Sequence, residues 1–230
     1  QVQNEMDRYS PDDAHQPSLA YVPYLVTGDY YFLEELHFWA NWNMILANPY
    51  YRDLEKGLLR WAQVRGQAWS LRTLGHAAYI TPDVHPLKDY FVARVQHNIQ
   101  YYRTTLVENP QANQLGYLED GALLYGDYGL APWQDDFFTW AVGHLVELGF
   151  TDAAALFVWK AKFVLGRMAS DDYCWLNASA YELQVGSNRI PFTTFAQVQQ
   201  ANFSSSCAGL EMLGYPESAT GFGANMQPAL

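Results

Sequence analysis

Lysine is scarce in this chain, with four among 230 residues, and acids outnumber bases 24 to 13 for a formal charge of −11. No basic stripe is left to neutralise phosphates, which argues against nucleic acid and anionic membrane surfaces as partners. No run of about 18 apolar residues occurs, so no segment reads as a membrane span. A paired HxxxH, HExxH and CxxC are all missing, so a dedicated metal site has no sequence support and no metal is expected. The chain also lacks a GxSxG elbow, a Walker loop and a GxGxxG opening a βαβ unit, so no nucleotide or other cofactor is expected. Cysteine is limited to Cys174 and Cys207, which leaves one disulfide and two buried thiols equally open.

Hydrophobic residues make up half the chain, enough for one good core, and the whole of 1–230 reads as a single globular domain. The chain starts at Gln1 without Met or an apolar leader, which reads as a mature product or an excerpt. A secreted or periplasmic setting is the expectation. Two sequons, Asn177-Ala-Ser179 and Asn202-Phe-Ser204, bear on this only in a eukaryotic secretory pathway.

Aromatic residues are abundant: 17 Tyr, 12 Phe and 8 Trp, many in polar company such as "HFWANWN" and "GDYGLAPWQDDFFTW". A flat apolar face with a hydrogen-bonding edge suits the C–H face of a sugar ring, and it equally suits a large helical core.

Helical punctuation dominates the pattern. Pro17 starts a helix that Gly28 closes, with Pro23 expected to kink it, and Asp29 caps a second helix running to about Leu46. Further helices are predicted from about Leu58 to Ile80, Pro86 to Val107, Trp133 to Leu148 and Asp152 to Ala169. The tight "GFTD" turn joins the last two. A loop-like span from Pro110 to Pro132 and a second loop holding Cys174 and Trp175 interrupt them, and two shorter helices follow Pro191, split near "NFSSS". No strand set competes. The fold class is therefore all-α, built of antiparallel helical hairpins. The chain's last residues, Gln227, Pro228, Ala229 and Leu230, replay Gln16, Pro17, Ser18 and Leu19, which reads as the start of another helix in a larger array.

The segments "QPSL", "YLVTGDYYFLEE", "RGQAWSLR" and "LGFTDAAALFVW" together resemble the (α/α) toroid families of carbohydrate-active enzymes, among them six-hairpin glycosidases and alginate, chondroitin and heparin lyases. The resemblance spans about residues 15 to 170 and implies an incomplete (α/α) toroid or solenoid. It further implies a polysaccharide or oligosaccharide as partner, with the remainder of a toroid or a second subunit completing the ring.

Helix faces can be read apart from that resemblance. Positions spaced 0, 4, 7 and 11 share one side of a helix. On the third predicted helix they collect Arg65, Trp69, Arg72 and His76, with Trp61 one turn earlier, beside an apolar stripe of Val64, Ala68, Leu71, Gly75 and Ala78. On the second they give Tyr30, Glu34, His37 and Asn41, and on the fifth Asp136, Trp140, Gly143 and Glu147 with His144 alongside.

Each candidate carries two readings. Arg65 and Arg72 bind substrate carboxylates or tie hairpins together. His15, beside Asp12 and Asp13, is a loop-borne functional group or a hydrogen bond at a helix start. His37, His76 and His144 are bases or structural histidines, Asp135 and Asp136 are catalytic acids or dipole-favoured first-turn residues, and the tryptophans are sugar platforms or core. As an enzyme, a hydrolase would use Glu34 or Glu35 with Asp135 or Asp136. A lyase on uronic acids would use His37, His76 or Tyr30 as base with Arg65 and Arg72 on the carboxylate, and Trp69, Trp140 and His15 would grip the chain. The other class is a non-catalytic glycan-binding or subunit-assembly module.

Overall fold

The computed structural model describes residues 11–60, 63–119 and 123–203. Among the expectations above, Trp61, Cys207, Ser204 of the second sequon, the later of the two helices beyond Pro191 and the Gln227–Leu230 match lie outside the described residues. Among the described residues the chain is mostly helical, with helices α1 (Tyr21–Thr27), α2 (Tyr30–Ile45), α3 (Val64–Ile80), α4 (Lys88–Tyr102), α5 (Pro132–Glu147), α6 (Ala154–Ala169) and α7 (Phe195–Asn202).

Local chemistry sets most boundaries. Gly28 takes the left-handed conformation at φ +66° and donates its N–H to Tyr24 O, closing α1. Asp29 then accepts from Tyr31 N–H at 3.0 Å and opens α2. Pro132 sits in the first turn of α5, where a missing N–H leaves nothing unpaired. Thr194 and Gln197 form a reciprocal capping box on α7.

Three expectations shift. Residues 17–20 are not helical, so Pro23 falls in the first turn of α1 and no kink follows. The third helix begins at Val64 rather than near Leu58, because Leu59 N–H is held at 2.9 Å by the side chain of Asn98 on α4 instead of by a helical carbonyl. The long loops also carry short strands that no alternation announced: β1 (Leu123–Tyr125), β2 (Gly129–Leu130) and β3 (Leu183–Gln184) pair antiparallel, and β4 (Gly186–Ser187) pairs with β5 (Ile190–Pro191). Strands of two or three residues are too short for a period of two to register.

Helix directions follow from which side chains meet. Arg65 lies over Trp133, Trp69 against Phe137 and His76 against His144, so α3 and α5 run parallel at a constant offset of 68 positions. The segment leading into α1 lies along another side of α3, with Gln16 on Arg72 and Ser18 on His76. In a second row, Asn41 and His37 of α2 meet Tyr90 and Phe91 of α4. Successive helices reverse: Gln67 and Thr81 of the α3 region bond Tyr102 and Lys88 at the opposite ends of α4. Across α5 and α6, Asp135 meets Lys160 and Gly143 meets Phe157.

α3 is the centre of the molecule. Its predicted apolar stripe, Val64, Ala68, Leu71, Gly75 and Ala78, is buried throughout, and the core continues through Phe91, Val95, Phe138, Leu145 and Phe163. Two buried cations fasten the flanking loops. Lys160 pairs with Asp135 and donates to Gly116 O at 3.0 Å, while Arg167 pairs with Asp136 and donates to Ala178 O. Among the described residues no helix is long and apolar enough to cross a membrane.

Candidate functional site

Residues 11–20 form a polar segment clamped onto α2 and α3. Asp12 starts a 3-10 turn (Asp13–His15) by accepting from Ala14 N–H at 2.8 Å, and its other oxygen bonds His15 Nδ1. Gln16 is 7% exposed. Its carbonyl accepts from Arg72 Nη2 at 2.8 Å, and its side-chain oxygen accepts from Asn43 Nδ2. Among the described residues, four buried polar atoms around this clamp have no partner: Asp13 Oδ2, Gln16 Nε2, Asn43 Oδ1 and Arg72 Nε. Such a concentration is unusual in a native interior.

Beside the clamp lies a cleft of about 710 Å³, a size usual for small-ligand sites. Asp12, His15 and Gln16 line it from the lead segment, and Tyr31, Glu35 and Trp39 line it from α2. Spacings of four put those three α2 residues on one face. Glu35 Oε2 accepts from Trp39 Nε1–H at 3.3 Å, which orients both side chains.

The adjacent acids are pushed apart. Burial raises Asp13, and the neighbouring Asp12 adds to the rise. Burial acts against Asp12 ionising as well, but its bonds from His15 and Ala14 N–H outweigh that and hold it below the usual carboxylate range. Divergent neighbouring carboxyls of this type mark acid and base assignments in many enzymes.

A second cluster joins the lead segment, α3 and α5. Ser18 Oγ bonds His76 Nδ1 at 2.9 Å, His76 Nε2 meets His144 Nε2 at 2.9 Å, and His144 Nδ1 bonds Glu147 Oε2 at 3.1 Å. One arrangement of protons satisfies the whole line. Ser18 O–H donates to His76, His76 Nε2–H to His144, and His144 Nδ1–H to Glu147. Tyr21 stacks on His76 with centroids 3.7 Å apart, and Trp140 stacks on His144 at 5.2 Å. Burial first, then the charges of His144 and Arg72, push His76 down to about 3, so its ring is neutral near neutrality. Burial also lowers Arg72 to about 10, and its guanidinium lies 4.8 Å over the Trp69 ring. The line from Ser18 to Glu147 is satisfied along its length, and with Arg72 it ties Ser18 and Gln16 to the helices.

The remaining candidates lie elsewhere. Tyr30 bonds His85 at 3.3 Å, and His37 Nε2–H donates at 2.7 Å to Thr81 Oγ1, whose own hydroxyl donates to Ala77 O. Burial, with His85 next, lowers His37 to about 4. Glu34 is exposed and does not line the cleft. Arg65 sits 5.3 Å over Trp133. Asp136 is raised by burial against the opposing pull of Arg167, and it lines a mostly apolar groove of about 500 Å³ between α5 and α6 with Trp140, Phe157, Leu165 and Trp175. Cys174 is disulfide-bonded.

The structure thus keeps Trp69, Arg72 and His76 on one side of α3 and sets Trp140 of α5 against them, places His15 in the cleft, and keeps Tyr30, His37 and Glu34 apart from them. The stripe reading did not find Gln16, Ser18, Tyr31 and Trp39. The polar run "DDAHQPS" was the available signal for Gln16 and Ser18, since their amide and hydroxyl need partners, and the spacing of four among Tyr31, Glu35 and Trp39 was the signal on α2. Among the described residues no three or more His, Cys, Asp or Glu side chains are grouped to hold a metal ion. No family model, no curated protein and no solved structure matches this chain.

Proposed function

We propose that this chain is a carbohydrate-active protein that binds a polysaccharide in the cleft between the lead segment and α2 and cleaves it by hydrolysis, with the parallel rows of helices forming an arc of an (α/α) toroid or solenoid. The observation that carries this reading is the meeting of Asp12, His15 and Glu35 with the aromatic rings of Tyr31 and Trp39 in one open cleft. The rings offer faces for sugar C–H groups. Glu35 takes a proton from the attacking water while His15, held in place by the Asp12 carboxylate, delivers one to the leaving oxygen, so water adds across the glycosidic bond. Arg72 and His76 act through the lead segment they hold, and Trp69 and Trp140 brace them.

Hydrolysis is favoured over uronate elimination because no Lys or Arg is among the described residues lining the cleft, and elimination needs a group to neutralise the substrate carboxylate. A screen of the intact chain against polysaccharides should yield saturated reducing ends. Asp12→Asn and Glu35→Gln should each lower the rate about 10²- to 10⁴-fold without moving the thermal midpoint. Unsaturated ends, or full activity in both variants, would contradict the assignment.

A second reading rests on the apolar groove of α5 and α6. Trp140, Phe157, Leu165 and Trp175 are all exposed along it. Contiguous apolar surface of this type is what a subunit-assembly module presents to the rest of a toroid or to a second subunit.

A further inference from the structure

We infer that the cleft beside Gln16 selects a saccharide carrying a protonated amine over neutral and uronic-acid sugars. The inference rests on the saccharide reading of this cleft and adds the charge of its ligand.

Three observations carry it. Asp12 from the lead segment and Glu35 from α2 both line the cleft. The one basic side chain among the described lining residues, His15, is already held by Asp12. Glu35 accepts one indole N–H through one oxygen, which leaves acceptor capacity on the same carboxylate. A cleft so furnished is rich in acceptors and short of cations, so a carboxylated sugar meets like charge and an ammonium group meets charge-assisted acceptors.

Gln16 supplies the independent sign that a ligand belongs here. It is more than nine-tenths buried, it lines the cleft, and its Nε2 has no partner among the described residues. An amide donor in that position suits a sugar hydroxyl or ring oxygen. Tyr31 and Trp39 then meet the C–H face of the ring, and a nearby ammonium strengthens that contact through the ring quadrupoles.

The test is a calorimetric titration of the intact chain with oligomers of glucosamine, N-acetylglucosamine, glucose and galacturonate in mildly acidic buffer at low and high salt. The glucosamine oligomer should bind about tenfold tighter than its N-acetylated and neutral counterparts. The preference should shrink at high salt and in Glu35→Gln, and the galacturonate oligomer should not bind. Trp39→Ala should weaken every oligomer that binds. If neutral or uronic oligomers bind as tightly as glucosamine and still respond to Trp39→Ala, the charge selection is overturned and the saccharide cleft stands. If no oligomer binds, or binding ignores Trp39→Ala, both fall.

Discussion

At the scale of single residues, the buried ion pairs separate structure from function. Lys160 has no exposed side-chain surface and Asp135 1%. Their pairing, with Leu118 N–H also donating to Asp135 at 2.8 Å, closes the loop before β1 onto α5 and α6. Lys160→Met should therefore cost about 3–5 kcal/mol in denaturant unfolding, because it strands a buried carboxylate, and Lys160→Met combined with Asp135→Leu should recover part of that loss. A neutral single variant would contradict the pairing. Sequence position alone suggested first-turn acids for Asp135 and Asp136. Their cations lie 25 and 31 residues further along, a distance that only the folded chain reveals. The same holds for Arg72, which tied the lead segment to α3 in the manner of its structural reading, although the partner is the Gln16 carbonyl and not an acid.

At the scale of elements, the parallel contact of α3 and α5 depends on close approach. A Cβ at Gly75 would lie 2.4 Å from Leu145 Cδ2, and Leu145 is fully buried with little room to move. Gly75→Val should destabilise the chain by about 1–3 kcal/mol through overpacking, less a few tenths returned by better helix propensity, as read from the denaturation midpoint. A variant as stable as the parent would mean that the two helices can separate. Helix ends were the most legible elements, because Gly28, Asp29, Pro132 and the "GFTD" turn act locally on their own backbone. The lead segment was the least legible. Pro17 signals a first turn, but the Gln16 and Ser18 contacts hold residues 16–20 outside any helix, and those contacts come from α2 and α3. The α3 and α5 stripes lie against each other, a pairing that periodicity within one helix does not predict, and on α2 Tyr30 and His37 face the segment around His85 while the cleft takes Glu35 and Trp39, neither of them in the α2 stripe.

At the scale of the whole molecule, an acidic chain presents two different surfaces. One is the cleft at the lead segment, where Asp12 and Glu35 stand among aromatic and aliphatic side chains, and the other is the groove of α5 and α6, which is more apolar still. Net charge of −11 explains neither by itself, since it sets solubility and repels anionic partners without choosing a site. The proposed saccharide site is the cleft. The most direct measurement is ¹⁹F NMR of the chain labelled with fluorotryptophan, with resonances assigned by single Trp→Phe variants and oligosaccharide added stepwise. Trp39 should shift in a saturable manner while Trp140, Trp159 and Trp175 stay in place. Shifts at Trp140 and Trp175 with Trp39 unmoved would put the ligand in the α5–α6 groove and contradict the account.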